Sequence, residues 1–246
     1  MQDSRKVIGV IPARLGSTRL PRKVLRAIAG KAMLHWVYES AARSSLLDEL
    51  VVAADSEDVG QYCRSHNLAV MMTGSHPSGS DRLHEVMERT DGGIYVNIQG
   101  DEPTLRTDHV ELLLEPVLSG LAEVATLKVA IDPNAARNPN CVKVVTDLRG
   151  RALYFSRFPI PFDRDGTAAH RYYKHIGLYA YTRAALIRFH GLPQSALERA
   201  ERLEQLRFLE NGISIQVAET PHDTIGVDTE EDLQKVAALF AAHYSG

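Results

Sequence analysis

The run Val7-Ile8-Gly9-Val10-Ile11 is apolar at every position. That is the pattern of a strand covered on both faces, as in the centre of a parallel sheet. Arg5-Lys6 in front of it superficially resembles a targeting segment, but the apolar stretch is short and Arg14 closes it, so it reads as a buried strand. A loop of small and basic residues follows, Pro12-Ala13-Arg14-Leu15-Gly16-Ser17-Thr18-Arg19. A helix is then predicted from near Ala32, with Leu34, Val37, Tyr38 and Ala41 on one face. The alternation continues with strand Leu50–Ala53, an acidic turn from Asp55 to Asp58, a helix to about His66 and strand Ala69–Met72. A helix around Leu83, Val86 and Met87 and strand Ile94–Ile98 complete it.

Strand and helix in turn predict an open, mostly parallel α/β sheet with right-handed crossovers. Ligands of such sheets collect beyond the carboxyl ends of the strands. The basic loop after the first strand and Gln99-Gly100-Asp101-Glu102-Pro103 after the fourth are therefore expected at one mouth.

The second half reads differently. Val142–Thr146 and Ala152–Ser156 flank Asp147-Leu148-Arg149-Gly150, a hairpin signal, and Lys174–Tyr181 is a further strand. Ser195-Ala196-Leu197-Glu198 reads as a capping box opening one helix through Leu203 and Leu206. Ile213, Ile215 and Val217 alternate as a strand, and Thr229-Glu230-Glu231-Asp232 starts a last helix carrying Leu233, Val236, Ala237 and Phe240. The expectation is one α/β body over residues 1–246, with an antiparallel insertion at about 140–182 that forms a lid or a subunit contact.

Composition removes several function classes. The 28 Lys and Arg against 31 Asp and Glu give a net charge of −3, so no bulk positive field holds nucleic acid. No apolar run approaches the ~20 residues that span a bilayer, so no membrane insertion is expected. Two cysteines, Cys63 and Cys141, make no disulfide framework and no structural zinc site, which suits a reducing cytoplasm. Within this acidic chain, Arg5 to Tyr38 holds eight basic residues and no acid. A solvated basic face is the ordinary meaning of such a run. Its position on the loop after a buried strand suggests an anion site instead, with small residues admitting backbone N–H groups to phosphate oxygens and Arg14, Arg19 and Lys23 supplying charge. Neither G-x-x-x-x-G-K-[ST] nor G-x-G-x-x-G occurs, so ATPase and nicotinamide-dehydrogenase signatures are absent.

Asp101, just past a buried strand, needs a compensating partner. Asp228 precedes the final helix, where an acid is stabilising through the dipole alone. Alternatively, the two carboxylates share one mouth and hold Mg²⁺ between protein and nucleotide.

The segment Pro12-Ala13-Arg14-x-x-Ser17-x-Arg19-x-Pro21-x-Lys23 resembles the nucleotide signature of sugar-activating cytidylyltransferases. Ser78-Gly79-Ser80-Asp81-Arg82, Gln99 to Pro103, Asn138-Pro139-Asn140 with Val142-Lys143, and Ala152 to Arg157 follow in the same order. So do Lys174 to Tyr179, Leu203-Glu204-Gln205-Leu206-Arg207 and Val227-Asp228-Thr229. Together they resemble the 3-deoxy-manno-octulosonate cytidylyltransferase (CMP-Kdo synthetase) family.

The resemblance implies a Rossmann-like sheet of the nucleotidyltransferase type, and a reaction in which CTP and Kdo give CMP-Kdo and pyrophosphate for lipopolysaccharide synthesis. It implies a cytoplasmic homodimer. By the same resemblance Arg14, Ser17 and Lys23 hold the triphosphate, with Lys23 the most consequential cation. Pro12, Ala13, Ser78 and Arg82 read cytosine and ribose, and Asp101 and Asp228 ligate Mg²⁺. Gln99, Arg157, His175, Tyr179, Glu204 and Gln205 match the sugar-binding region, with Arg157 suited to the sugar carboxylate. Taken singly, His175 is a packed histidine, and Glu204 with Arg207 is an i,i+3 surface pair; only the joint order lifts them.

Arg22 and Val24 stand where the family has Gly and Pro, and Ser80 replaces a Thr. Arg22 therefore either points outward or adds a triphosphate contact. The alternatives are the same chemistry on 8-amino-Kdo or another acid sugar, and a non-catalytic nucleotide-binding module.

Overall fold

The computed structural model describes residues 5–16, 19–76, 78–166 and 170–244. The chain forms two compact units, Met1–Glu111 with Thr224–Gly246, and Leu112–Asp223.

The first unit opens with β1 (Val7–Ala13), whose residues are buried except Pro12. A tight hairpin, β2 (Ala27–Ile28) and β3 (Lys31–Ala32), follows; it turns through Ala29 and Gly30 at positive φ and carries no hydrophobic alternation long enough to be read from sequence. Then come α1 (Met33–Ala42), β4 (Glu49–Ala54), α2 (Glu57–Ser65), β5 (Val70–Met72), α3 (Gly79–Glu88) and β6 (Ile94–Asn97). Apart from the hairpin, the strands of this unit lie in the order β6-β1-β4-β5, all parallel, with Val10 opposite both Asn97 and Val51. The mostly parallel α/β sheet expected from the apolar runs is what forms.

α4 (Thr107–Leu118) leads into the second unit. Its core is β7 (Val124–Ile131), which is followed by a short α5 (Pro133–Ala136), β8 (Lys143–Thr146), β9 (Ala152–Ser156) and β10 (Tyr172–Thr182). β7 pairs antiparallel with β10, and β8 pairs antiparallel with β10 and β9. The Asp147–Gly150 turn closes the β8–β9 hairpin as expected, with Asp147 Oδ1 accepting from the amides of Arg149 and Arg151. α6 (Arg183–His190), α7 (Ala196–Glu201), α8 (Gln205–Glu210) and β11 (Gln216–Glu219) complete the unit, β11 lying parallel to β7.

Two expectations need correction here. The single helix through Leu203 and Leu206 is two, because Arg202 takes a left-handed conformation (φ 53°) and caps α7. The last strand starts at Gln216 rather than Ile213, because the Ile213 amide bonds back to the Phe208 carbonyl and ends α8.

The chain returns to the first unit with α9 (Glu230–Tyr244). Leu233 and Val236 pack with Leu20, Ile28, Met33, Trp36 and Val227, and Phe240 meets the Trp36 ring edge-on at 4.7 Å. This cluster fixes α9, and with it Asp228, against the segment that follows β1. Among the described residues, no helix is long and apolar enough to cross a membrane.

Candidate active site

Parallel strands end on one edge, so the segments after β1, β4, β5 and β6 share it in the first unit. Pro12 and Ala13 end β1, and Arg14 beyond them is exposed. Ser17 lies outside the described residues. Gly100 is the close-approach point between this edge and the Asp101 loop: a Cβ there would stand 3.1 Å from the Pro12 carbonyl oxygen. A side chain at 100 would therefore hold the two segments apart.

Lys23 heads a single helical turn after Arg22, and its ammonium donates to Asp101 Oδ2 at 2.5 Å and to Asp228 Oδ1 at 2.8 Å. Arg19 approaches the other oxygen of Asp228 at 3.0 Å. The Val227 amide bonds the Asp101 carbonyl, so the two carboxylate-bearing loops are also joined by backbone. Burial opposes the charge on Lys23, yet attraction to Asp101 and then Asp228 outweighs it and holds its pKa above the usual lysine value. Burial likewise opposes the charged form of Asp228, and Lys23 and Arg19 overcome it, leaving the carboxyl below its usual value.

The alternatives for Asp228 separate here. The amides opening α9 are served by Asp232, whose Oδ2 accepts from Asp228 N, Thr229 N and the Thr229 hydroxyl. The Asp228 side chain is thereby left to the cationic cluster. Two hard oxygen donors converging on one point suit a small divalent cation that takes its remaining ligands from substrate phosphates and water. Among the described residues, no group of three or more His, Cys, Asp or Glu could hold a metal without such help.

Ser78 caps α3, its hydroxyl accepting from Asp81 N and donating to Asp81 Oδ2. Arg82 is buried, and its guanidinium donates to Asp55 at 2.6 Å and to the Thr73 hydroxyl at 2.7 Å. It thus ties together the segments after β4 and β5 on the same edge as Pro12. Asp55 and Thr73 were not singled out from sequence. The signal existed for Asp55: it is an acid directly after a strand whose last three residues are buried, as Asp101 is an acid a few residues past another.

Of the residues matched to the sugar region, Gln99 lies in the first unit and the other five in the second. His175 and Tyr179 flank a bulge in β10 where the pairing shifts between Ile176 and Tyr179. Thr126 opposite lies within hydrogen-bond distance of His175 Nε2 and of the Ile176 and Leu178 carbonyls. Such a bulge re-aims the side chains beside it. Burial, with Lys174 adding to it, lowers the His175 pKa to about 3, so the ring is neutral. Burial pushes the Tyr179 hydroxyl well above its ordinary value. Arg157 spends its Nε, Nη1 and Nη2 on the carbonyls of Glu201, Pro139 and Arg202. A guanidinium has five N–H groups, so two are left for a carboxylate. Glu204 precedes α8, and Gln205, its first residue, is buried.

A cytidylyltransferase family model matches residues 8–215. The chain is 55% identical over 238 residues to the 3-deoxy-manno-octulosonate cytidylyltransferase of Acidobacterium capsulatum, covering 96% of this chain and 97% of that one. It is 53% identical over 235 residues to the protein of the same name from Koribacter versatilis, covering 95% and 90%. Among solved structures it is similar to CMP:2-keto-3-deoxy-manno-octonic acid synthetase complexed with CTP, with a TM-score of 0.93 and 46% identity over 97% of this chain and 99% of that one. A likeness of this extent, in sequence and in fold alike, means that the chain belongs to the cytidylyltransferase family, among the 3-deoxy-manno-octulosonate cytidylyltransferases.

Proposed function

We propose that this chain activates 3-deoxy-manno-octulosonate (Kdo) with CTP, forming CMP-Kdo and pyrophosphate. The observation that carries the reading is the convergence of Lys23, Asp101, Asp228 and Arg19 at the carboxyl edge of the parallel strands.

The anomeric hydroxyl of the sugar attacks the α-phosphorus of CTP in line, and pyrophosphate leaves. Nucleophile and electrophile both belong to anions, so charge neutralisation and alignment supply most of the acceleration. Arg14, Arg19 and Lys23 offer positive charge to the triphosphate, as does Ser17 a hydroxyl. Pro12, Ala13 and Ser78 border the base and ribose. Arg82, held by its bonds to Asp55 and Thr73, is read with them as a contact to base and ribose. Asp101 and Asp228 would hold Mg²⁺, which when bound neutralises charge on the α-phosphate and the leaving group. To free their oxygens Lys23 turns its ammonium from the carboxylates to the phosphates.

Arg157, Glu204, Gln205, His175 and Tyr179 are read as the sugar-binding residues of the second unit, and Gln99 keeps the same assignment within the first. Their polarity suits an acidic polyol: two free N–H groups for the carboxylate, acceptors and donors for the hydroxyls. In this reading the product is the activated sugar for lipopolysaccharide synthesis and the enzyme works in the cytoplasm. Exposed Leu148, Leu153, Phe158 and Phe162 on the 140–182 segment support a homodimer formed through it. Sedimentation is expected to give a dimer that Phe158→Ser with Phe162→Ser converts to monomer.

The test is pyrophosphate release by the purified protein with CTP and Mg²⁺, with and without Kdo, and with EDTA. Release that requires both sugar and metal is the expected result. Turnover only with 8-amino-Kdo or another acid sugar would keep the mechanism and change the substrate. CTP binding with no release from any acid sugar would overturn the catalytic reading in favour of a nucleotide-binding module.

A further inference from the structure

Lys143 is fully buried on β8, and among the described residues no carboxylate receives its charge directly. Its ammonium donates to three backbone carbonyls, Asn138 at 3.0 Å, Cys141 at 2.6 Å and Arg157 at 2.6 Å. Three donors on one nitrogen match three acceptors, so the group is satisfied although it is out of water. The arrangement is still expensive: burial pulls the Lys143 pKa down, outweighing the opposing influence of Cys141 and Glu201, and nearby Arg157 adds to the lowering. An apolar side chain of similar volume would fill the space without that penalty. What it could not do is hold three carbonyls from two different segments at one point.

Those segments matter because of what they carry. The 138–141 turn is joined by Lys143 to the end of β9, and by Arg157 Nη1 through the Pro139 carbonyl. Arg157 Nε and Nη2 then reach the Glu201 and Arg202 carbonyls at the end of α7. Glu201 closes the circuit, accepting from the Ser156 hydroxyl at 2.6 Å and from the Arg157 amide at 2.9 Å. Beyond Arg202, in its left-handed conformation, come Glu204 and Gln205.

We infer that Lys143 is a positioning residue for the acid sugar: it holds the turn and the strand end against which Arg157 and the Glu204–Gln205 junction are set. The inference rests on the sugar reading given above. Lys143 touches no reacting atom; it acts through Arg157 and the α7–α8 junction. The residues assigned to CTP belong to the other unit, so nucleotide binding is left intact.

Two readouts on Lys143→Met test it. Labelling of Cys141 by a thiol reagent, located by mass spectrometry, reports the turn without any sugar, since Cys141 is half-buried and its carbonyl is one of the three held. Steady-state pyrophosphate release reports the coupling to sugar. The expected result is faster Cys141 labelling together with a rise of about tenfold or more in the KM for Kdo, at a CTP affinity by calorimetry equal to that of the parent. Unchanged labelling would overturn the inference, and so would faster labelling with an unchanged sugar KM, the signature of a merely structural lysine. If Lys143→Met does not fold, Lys143→Arg carries the same test, because its planar fork cannot meet all three carbonyls from that stem. Failure of the parent protein to turn over any acid sugar is a separate outcome: it overturns the function and takes this inference with it.

Discussion

Lys23 and Asp228, 205 positions apart in the chain, meet at 2.8 Å, and the same ammonium lies 2.5 Å from Asp101. The lysine therefore occupies the point on which the two carboxylates converge. On the proposed function, a divalent cation placed there would compete with it, and CTP would relieve the competition by drawing the ammonium to its phosphates. Lys23→Met is expected to bind Mn²⁺ in the absence of nucleotide about tenfold more tightly or better, because two acids lose their internal counter-ion. Electron paramagnetic resonance of free Mn²⁺ measures this directly. Pyrophosphate release by the same variant is expected to fall by about 10²–10³. Parent-like Mn²⁺ affinity would show that the ammonium does not compete for the site.

Arg22 resolves outward. Its guanidinium pairs with Asp58 at 2.7 Å, both side chains about half exposed, and its backbone is left-handed at φ 56°. Removing the side chain loses an exposed pair worth ~0–1 kcal/mol and relieves a conformation that costs a non-glycine roughly 1–2 kcal/mol. Arg22→Gly is expected to keep stability within about 1 kcal/mol of the parent once the greater freedom of unfolded glycine is counted. The CTP KM and its salt dependence should not change. A marked rise in that KM would restore the triphosphate contact.

Gly100 is constrained by the Pro12 carbonyl at 3.1 Å and Ile11 Cγ2 at 3.3 Å from a modest Cβ. Gly100→Ala is expected to destabilise by about 1–3 kcal/mol through crowding in a packed setting. Because the displaced segment carries Asp101, kcat should fall more than denaturation midpoints suggest. Thermal unfolding and initial rates on the same preparation separate the two effects.

His175 predicts an acid-side instability. Its pKa falls to about 3 in the folded chain, against about 6.5 unfolded. Between those values the unfolded chain holds a proton that the folded chain does not, so the stability is complete above about pH 6.5 and declines as the pH drops. The slope is at most ~1.4 kcal/mol per pH unit. Asp228, whose pKa is depressed, contributes its own loss only below the usual carboxylate range. His175→Gln should therefore flatten the urea midpoint between about pH 6.5 and 4.5 while leaving the steeper fall at lower pH. An unaltered profile would mean that the ring exchanges protons with solvent when folded.

The parallel sheet and its carboxyl edge were legible in the chain because a strand buried on both faces must be apolar at each position, and the helices between must show a periodic face; Val7–Ile11 and Leu34, Val37 and Ala41 state this locally. Asp101 and Lys23 were legible as well, one as a charge after a buried strand and the other within a cationic, acid-free segment. What could not be read is which distant group each side chain meets. The sequence did not show that Arg82 bonds Asp55 and Thr73, and Asp228 could have capped a helix until Asp232 took those amides. The left-handed Arg202 breaks a pattern that is helical in sequence, and the three carbonyls around Lys143 come from positions with no periodic relation to it. Backbone conformation follows from neighbours a few residues away, and so it leaves a trace in periodicity. Hydrogen-bond partners across elements depend on how those elements pack, and packing is a property of the whole chain.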